Sequence, residues 1–416
     1  MRSATSWWII ALVIFLLDLY VFQALKTVSQ QGSDRGRQAI YVTYWLVSFF
    51  TIATMLSFPY LQFLQTSKIF RNYVFAILIG LFLAKLIGSL FFVADDIRRC
   101  ALVLMNKIFP LSGAQYMGPE GQGIPRSTFL SWLGVGLSST LFFSLLYGFG
   151  NKYNYKLIKK KVVIPDLPIA FKGFKIIHIS DIHSGSLKEI AAVKKGVQMI
   201  QNQHPDLVLF TGDLVNDRAN EMDPWMPVFA EIKAPHGVFS TLGNHDYGDY
   251  VKWDSQENKI QNLEALKKVH ANMGWRLLMN ENVKIEKEGA ILQLVGIENW
   301  SDKARFPKYG KMEQAMSGVQ PELPIILMSH DPSHWEAEVI PKYPQINLTL
   351  SGHTHGMQFG LENPYFKWSP VQWVYKQWAG LYQTEQQQLY VNRGFGFLGY
   401  PGRVGIMPEI TLIELM

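Results

Sequence analysis

The chain has 416 residues, enough for a membrane region and one sizeable water-soluble domain, or for two or three small domains. Its single cysteine, Cys100, excludes an internal disulfide and a cluster of thiolate metal ligands. The net charge of +6 is modest, and basic residues cluster at the edges of the apolar segments. This distribution is typical of membrane-flanking charge and argues against a nucleic-acid surface.

The N-terminal part contains four apolar segments long enough to span a bilayer, which takes about 20 residues of helix. The segments are Trp7–Leu25, Ile40–Leu61, Tyr73–Val93 and Phe129–Phe149. A cleaved signal peptide would explain the first segment but not the three that follow it. Residues 1–150 are therefore predicted to form an all-α bundle of transmembrane helices.

Two charged residues, Asp18 and Lys85, lie inside the first and third of these segments. Charged side chains within a bilayer are costly and indicate a functional site by default. The alternative is that they pair with each other, or reach a helix end, and merely fix helix packing. This alternative is favoured.

After the fourth segment the composition changes. NKYNYKLIKKK, from Asn151, is a basic juxtamembrane run, and VVIPDLPIAFKGF, from Val162, is interrupted by prolines. Residues 151–174 are therefore predicted to be a linker. No later stretch is long enough to span a bilayer, so residues 175–416 are predicted to form a water-soluble domain.

Five apolar runs in this domain end in ISDIH, FTGD, TLGNHD, MSH and LSGHTH, each at a turn marked by glycine or serine. The polar residues at these ends are Asp181, His183, Asp213, Asn244, His245, Asp246, His330, His353 and His355. Ligand sites collect at the carboxyl ends of strands in α/β sheets. Alternation along a strand also points His353 and His355 to the same face. The pattern therefore predicts one shared site rather than five unrelated caps and turns.

Taken together, D-x-H, GD, GNHD, H and GHTH resemble the motifs of the calcineurin-like metallophosphoesterase family in order and residue type. The resemblance covers about residues 171–416. The closing segment YVNRGFGFLGYPGRVGIMPEITLIEL looks like that of the family's membrane-associated bacterial branch. One departure is Met357, where relatives often carry another glycine. The resemblance implies an α/β fold, a four-layer αββα sandwich.

The resemblance also implies a pair of divalent metal ions. The first ion would be bound by Asp181, His183 and His355, and the second by Asn244, His330 and His353, with Asp213 bridging both. Ligands of oxygen and nitrogen suit Mn, Fe or Zn alike. Two such ions can activate a water molecule and hold a phosphoryl group for in-line attack.

Four further residues receive roles outside the ligand set. His245 would be the general acid for the leaving oxygen, or would stabilise the charge of the transition state, and Asp246 would orient it. Arg393 and Arg403 lie in the glycine-rich C-terminal loop and suit forked contacts with phosphate. The alternative for the two arginines is a pairing with the backbone or with a carboxylate such as that of Glu409.

A segment rich in aromatic residues, NPYFKWSPVQWVYKQWAGLY, follows His355. Its aromatic residues include Tyr365, Phe366, Trp368, Trp373, Tyr375 and Trp378. They form either a small core beneath the loop or an apolar lip that touches the bilayer or an acyl chain.

The leading hypothesis is a membrane-anchored phosphoesterase that depends on two metal ions and cleaves phosphodiester or pyrophosphate bonds of lipid-linked or envelope molecules. Its partners would be a phosphoester substrate and membrane lipids, with no nucleic acid. One alternative is a hydrolase of soluble nucleotides or phosphomonoesters that is merely anchored to the membrane. Another is a sensor without catalysis, against which the intact ligand set and His245 argue.

The protein is thus predicted to be an integral, multi-pass protein of the cell membrane. Basic residues do not decide its orientation, since eight would flank the membrane on the side of the soluble domain and seven on the other. IPRSTFLSWLGVG resembles a degraded twin-arginine export signal, with one arginine where two are expected. This feature favours an extracytoplasmic catalytic domain.

Overall fold

The structure is a computed structural model that describes residues 4–58, 60, 68–108, 126–303, 306–385 and 387–416. The chain divides into two compact units, Met1–Tyr147 and Gly148–Met416. Each unit has its own secondary structure: the first is helical, and the second combines strands and helices.

In the part that the structure describes, the first unit contains the helices α1 (Ala4–Ser29), α2 (Asp34–Ser57), α3 (Lys68–Ile108) and α4 (Arg126–Gly148). Stretches long and apolar enough to cross a membrane lie at Trp7–Ser29, Asp34–Ser57, Phe70–Met105 and Ser127–Asn151. The prediction of four apolar helices, each long enough to span a bilayer, is confirmed. The third helix continues well past Val93, where the sequence placed the end of the span.

The charged pair inside the predicted spans forms in the structure. Asp18 is fully buried, and its carboxylate contacts the ammonium group of Lys85 and the hydroxyl of Ser48. The Tyr44 hydroxyl donates to the backbone carbonyl of Asp18 at 2.9 Å. The prediction that the two charges pair and fix helix packing agrees with these contacts.

The second unit contains the strands β1 (Lys156–Val162), β2 (Lys175–Ile179), β3 (Leu207–Phe210), β4 (Val238–Ser240), β5 (Arg276–Leu277), β6 (Glu281–Lys287), β7 (Ala290–Gly296), β8 (Ile325–Met328), β9 (Leu348–Ser351), β10 (Leu361–Glu362), β11 (Lys367–Trp368), β12 (Gly380–Thr384), β13 (Gln387–Val391) and β14 (Glu409–Leu415). One six-stranded sheet has the order β1-β14-β2-β3-β4-β5, and the other has the order β12-β13-β9-β8-β7-β6. Strands β10 and β11 pair as a small hairpin.

Helices cover the outer faces of the two sheets. They are α5 (Ile190–Gln201), α6 (Met226–Phe229), α7 (Gln256–Met273), α8 (Met312–Ala315) and α9 (Ile340–Lys342). Along β2, Ile177 and Ile179 pack in the cluster formed with α5 and α7, whereas Ile176 packs in the core between the sheets. This alternation follows the two-residue period of a strand. The predicted αββα sandwich is confirmed.

The segment predicted as a linker belongs to the folded domain instead. Strand β1 pairs in parallel with β14 from Lys156 opposite Glu409 to Val162 opposite Leu415. Farther along, Phe171 and Phe174 are buried in the core between the sheets. The linker prediction over residues 151–174 is therefore wrong. Lysines are typical of edge strands, which they protect from pairing with other chains, and in sequence such a strand resembles membrane-flanking charge.

Candidate metal centre

The five apolar runs ending in polar residues are strands β2, β3, β4, β8 and β9. Strands β2, β3 and β4 run parallel in one sheet, and β8 and β9 run parallel in the other. Their carboxyl ends place the predicted ligands in the loops that follow, as expected for a ligand site in an α/β fold.

The first group of side chains consists of Asp181, His183 and His355, all buried. Their potential ligand atoms lie within 4.8 Å of one another. The Nε2 atoms of His183 and His355 are 3.0 Å apart, and Nε2 of His355 is 3.3 Å from Oδ1 of Asp181. These are the three residues predicted to bind the first ion.

The second group consists of Asp213, His330 and His353, whose ligand atoms also lie within 4.8 Å of one another. Nδ1 of His353 is 3.3 Å from Nε2 of His330 and 2.8 Å from the amide oxygen of Asn244. The structure thus gathers the ligands predicted for the second ion.

Asp213 connects the two groups. Its Oδ2 atom is 3.6 Å from Nε2 of His183 in the first group and 3.2 Å from Nε2 of His330 in the second. Its Oδ1 atom accepts a hydrogen bond from the backbone N–H of His245 at 2.8 Å. This is the position that a bridging carboxylate requires.

The donor set fits two divalent cations. Burial lowers the pKa of His183 to about 3, so its imidazole is neutral and its lone pair can face a metal ion. Nδ1 of His330 lies 2.7 Å from the carbonyl oxygen of Thr211, which leaves Nε2 as the ligand atom. Burial opposes a charge on His330, yet the Asp213 carboxylate raises the pKa of His330 to about 10. The buried carboxylates thus favour positive charge at this position.

The backbone at the site is strained. Left-handed φ angles occur at Asp181 (52°), His183 (48°), Asp213 (60°), His353 (69°) and His355 (50°). Residues other than glycine rarely adopt this region, and each such conformation costs on the order of 1–3 kcal/mol. Such strain persists only where the surrounding structure imposes it, and it concentrates at functional sites.

Two glycines allow the loops to approach each other. A Cβ atom on Gly243 would collide with Oδ1 of Asp213, and one on Gly352 would collide with Oδ2 of Asp181. The glycines of GNHD and GHTH are therefore required by the close packing of ligand loops.

Comparison with known proteins agrees with this geometry. Residues 1–151 match the family model described as "Probable Calcineurin-like phosphoesterase, transmembrane domain", and residues 174–357 match "Calcineurin-like phosphoesterase". The Bacillus subtilis metallophosphoesterase YkuE is 30% identical over 255 residues, which cover 60% of this chain and 81% of that protein. The chain belongs to the calcineurin-like metallophosphoesterase family.

Two other relatives are similar to this metallophosphoesterase. The zebrafish (Danio rerio) "Transmembrane protein with metallophosphoesterase domain" is 30% identical over 266 residues, 62% of this chain. The alignment spans only 57% of the zebrafish protein's length. The "UDP-2,3-diacylglucosamine pyrophosphatase LpxG" of Chlamydia muridarum is 27% identical over 273 residues, covering 54% of this chain and 78% of that protein.

His245 lies beside the two ligand groups of the metallophosphoesterase domain and belongs to neither. Its ring is 5.0 Å from that of His183, measured between centroids. Nδ1 of His245 is 2.8 Å from the carbonyl oxygen of Asn216, a distance at which Nδ1–H donates. Nε2 is then the atom available to exchange a proton with a substrate.

Asp246 does not orient His245 as predicted, because the carbonyl of Asn216 contacts the ring instead. The fully buried Asp246 carboxylate accepts hydrogen bonds from the backbone N–H groups of Asp213, Leu214, Val215 and Gly243. Burial and the neighbouring Asp213 carboxylate raise the pKa of Asp246 to about 7. Asp246 thus holds together the backbones of two ligand loops.

The predicted phosphate-binding arginines are occupied by internal partners. Arg393 forms ion pairs with Glu409 and Glu362. The guanidinium of Arg403 is fully buried and donates to the carbonyl of Arg393 at 2.7 Å. These contacts argue against the predicted phosphate-binding role of Arg393 and Arg403, which stays an untested prediction. The alternative, pairing with Glu409 and the backbone, is the arrangement in the structure.

The aromatic segment of the metallophosphoesterase domain is predicted to form either a small core or an exposed apolar lip, and it contains both buried and exposed aromatic residues. Tyr375 and Trp378 are buried in a small core with Val371, Ala379 and Ile406. Tyr365 and Trp373 are instead 98% and 74% exposed. The cavity at the ligand groups has an apolar wall formed by Phe306, Met357, Val371, Val374, Tyr375 and Leu398.

The residues that hold the predicted ligands in place are not among those predicted from the sequence. The amide nitrogen of Asn244 donates to the Tyr250 hydroxyl at 2.8 Å, which leaves the amide oxygen facing His353. Tyr375 similarly contacts His353. The only signal in the sequence was the density of aromatic residues near the motifs, which does not distinguish a hydrogen-bonding tyrosine from a packing one.

Proposed function

We propose that this membrane-anchored metallophosphoesterase uses two divalent ions to hydrolyse phosphodiester or pyrophosphate bonds. The observation that carries the proposal is the Asp213 carboxylate, which contacts both groups of converging ligands. The first ion would be held by Asp181, His183 and His355, the second by Asn244, His330 and His353, and both by Asp213. Mn, Fe and Zn suit this oxygen and nitrogen set. When bound, the ions would neutralise phosphoryl charge and activate a water nucleophile.

The protein's own residues would supply the proton for the leaving group. His245 donates Nδ1–H to the Asn216 carbonyl, so only an imidazolium can also donate from Nε2. Its half-buried ring lines the cavity at the ligand groups, where a leaving oxygen would lie. We assign His245 the role of general acid.

We infer that the substrate is lipid-linked. The four candidate spans keep the protein in a membrane, and the apolar wall of the cavity suits an acyl group beside the phosphoryl group. A similar protein, LpxG, is by its name a pyrophosphatase of a diacylated nucleotide sugar. These observations favour lipid substrates over soluble nucleotides.

Removing residues 1–147 should separate the two substrate classes. The remainder starts at Gly148 and keeps strand β1 and all the ligands. We expect hydrolysis of a soluble nitrophenyl phosphodiester to persist. Hydrolysis of a lipid-linked pyrophosphate in vesicles should fall by roughly 10²-fold or more, because the local concentration gained by anchoring is lost. The two rates are measured on the same protein samples.

Within the full chain, Trp373→Ser should weaken vesicle hydrolysis more mildly while leaving the soluble ester unaffected. Ile169→Ser is the matched control, since Ile169 is an 85% exposed apolar residue outside the aromatic segment. If the truncated domain cleaves vesicle-bound lipid as fast as the full chain, the soluble-substrate alternative replaces this proposal.

We also propose that the catalytic domain faces away from the cytoplasm, on the basis of the export-like segment IPRSTFLSWLGVG. An epitope tag placed after Met416 should then be labelled by antibody in intact spheroplasts. Labelling that requires permeabilisation would assign the domain to the cytoplasmic side. The experiment does not depend on activity.

A further inference from the structure

The hydroxyl of Tyr375 lies between a predicted metal ligand and a buried carboxylate. It is 2.9 Å from Nε2 of His353, and it donates to Oδ2 of Asp331 at 3.1 Å. Tyr375 is 5% exposed, and Asp331 is fully buried. The other oxygen of Asp331 accepts from the backbone N–H of Ser333 at 2.8 Å.

The direction of these hydrogen bonds follows from the proton count. An ionised carboxylate only accepts, so the single hydroxyl proton of Tyr375 points to Asp331. The hydroxyl oxygen then accepts from Nε2–H of His353. In a neutral imidazole this leaves Nδ1 of His353 without a proton, and that is the atom 2.8 Å from the amide oxygen of Asn244. Two acceptors this close are suited to a shared cation.

Hydrogen bonds within the loop around Tyr375 fix the position of this hydroxyl. Ser369 donates to the carbonyl of Gly356, next to His355, at 2.9 Å, and it caps the helical turn Pro370–Trp373. The backbone N–H of Tyr375 bonds to the carbonyl of Val371 at 2.8 Å. These hydrogen bonds anchor the loop beside the ligand motif GHTH. They also place the Tyr375 hydroxyl next to the ring of His353.

We propose that Tyr375 is a positioning residue for the second metal ion, acting through His353 and supported by Asp331. The proposal rests on the dinuclear site proposed above. Without the hydroxyl, Nε2 of His353 would face Asp331 at 3.5 Å, too long for a good hydrogen bond. The ring would have to turn to restore the bond, and Nδ1 would leave its position beside Asn244.

The test is Tyr375→Phe in the full-length protein, stripped of metal and titrated with Mn²⁺ in a calorimeter. We expect the affinity for one ion to fall about 10–100-fold, as is typical when a partner of a metal-binding histidine is lost. The affinity for the other ion should stay unchanged. With Co²⁺ in place of Mn²⁺, the visible absorption spectrum should shift, and excess Mn²⁺ should restore turnover.

Tyr309→Phe is the matched control, because the Tyr309 hydroxyl also donates to a carboxylate, that of Asp249, at 3.1 Å. It contacts no predicted ligand and should leave both affinities unchanged. Asp331→Asn should weaken the same ion as Tyr375→Phe, and the double variant should be no weaker than the worse single variant, because both changes break one chain of hydrogen bonds.

Two outcomes would count against the proposal in different ways. If the wild type binds two ions and Tyr375→Phe binds both with unchanged affinity and spectrum, Tyr375 is only a packing residue and the dinuclear proposal stands. If the wild type binds fewer than two ions, the dinuclear proposal fails, and the proposal for Tyr375 fails as well.

Discussion

Replacing Asp213 with alanine should abolish turnover and release at least one metal ion. Oδ2 of Asp213 is the atom that lies near both His183 and His330, so its removal would take one ligand from each of the two proposed ions. It also removes one of the two carboxylates that compensate the charge of the ions. The measurement is elemental analysis of the purified variant together with phosphodiester hydrolysis at saturating substrate.

A second variant separates metal loss from misfolding. Asp213 has a left-handed φ of 60°, a conformation that asparagine tolerates better than alanine. Asp213→Asn should therefore fold like the wild type and still lose metal, because an amide carries no charge. Asp254→Ala, which removes an exposed carboxylate outside the site, is the control. Two ions and normal activity in Asp213→Asn would contradict the bridging role.

The site could be predicted as far as residue types reveal it. Buried strands ending in Asp, His or Asn told where ligands would collect, and the structure places Asp181, Asp213 and His330 at those ends. The division into two ions came from the family resemblance, because spacing along the chain does not determine which loops meet. Asp181 and His355 are 174 residues apart in sequence, yet their ligand atoms are 3.3 Å apart.

The predicted roles of Asp246 and Arg393 and the predicted orientation of His245 differ from the structure for a common physical reason. Each of these side chains interacts with a backbone group or with a side chain distant in sequence. His245 is held by the carbonyl of Asn216, and every residue type has a carbonyl. Asp246 binds backbone N–H groups, so its role as an organiser of loops left no pattern in neighbouring residues. Arg393 pairs with Glu362, which lies 31 positions away. Sequence motifs therefore indicate the ligands of a site more readily than the residues that hold those ligands in place.

The edge strand shows the same limit for the fold. Four of the seven residues of β1 are lysines, and in isolation such a sequence resembles a juxtamembrane run. Its pairing with β14 depends on a strand some 250 residues later in the chain. Local composition therefore predicts a linker at a place where long-range pairing adds an edge strand to the sheet.

Replacing His245 with alanine should lower the turnover number on the order of 10²–10⁴-fold, the usual effect of losing a general acid. Metal content should stay near that of the wild type, because the side chain belongs to neither ligand group. The backbone N–H that binds Asp213 is also kept. The measurement is turnover against a series of esters whose leaving groups differ in basicity, with metal content determined on the same samples.

The dependence on the leaving group identifies the role of His245. A nitrophenolate leaves without a proton, so His245→Ala should lose little activity on nitrophenyl esters and much on alkyl esters, which need the proton. His204→Asn is the control, since His204 is an exposed histidine with a left-handed φ of 48° that asparagine tolerates. An equal loss for good and poor leaving groups would instead make His245 an electrostatic or structural residue. A fall in metal content would make it a ligand, in conflict with its bond to the Asn216 carbonyl and its place outside both groups.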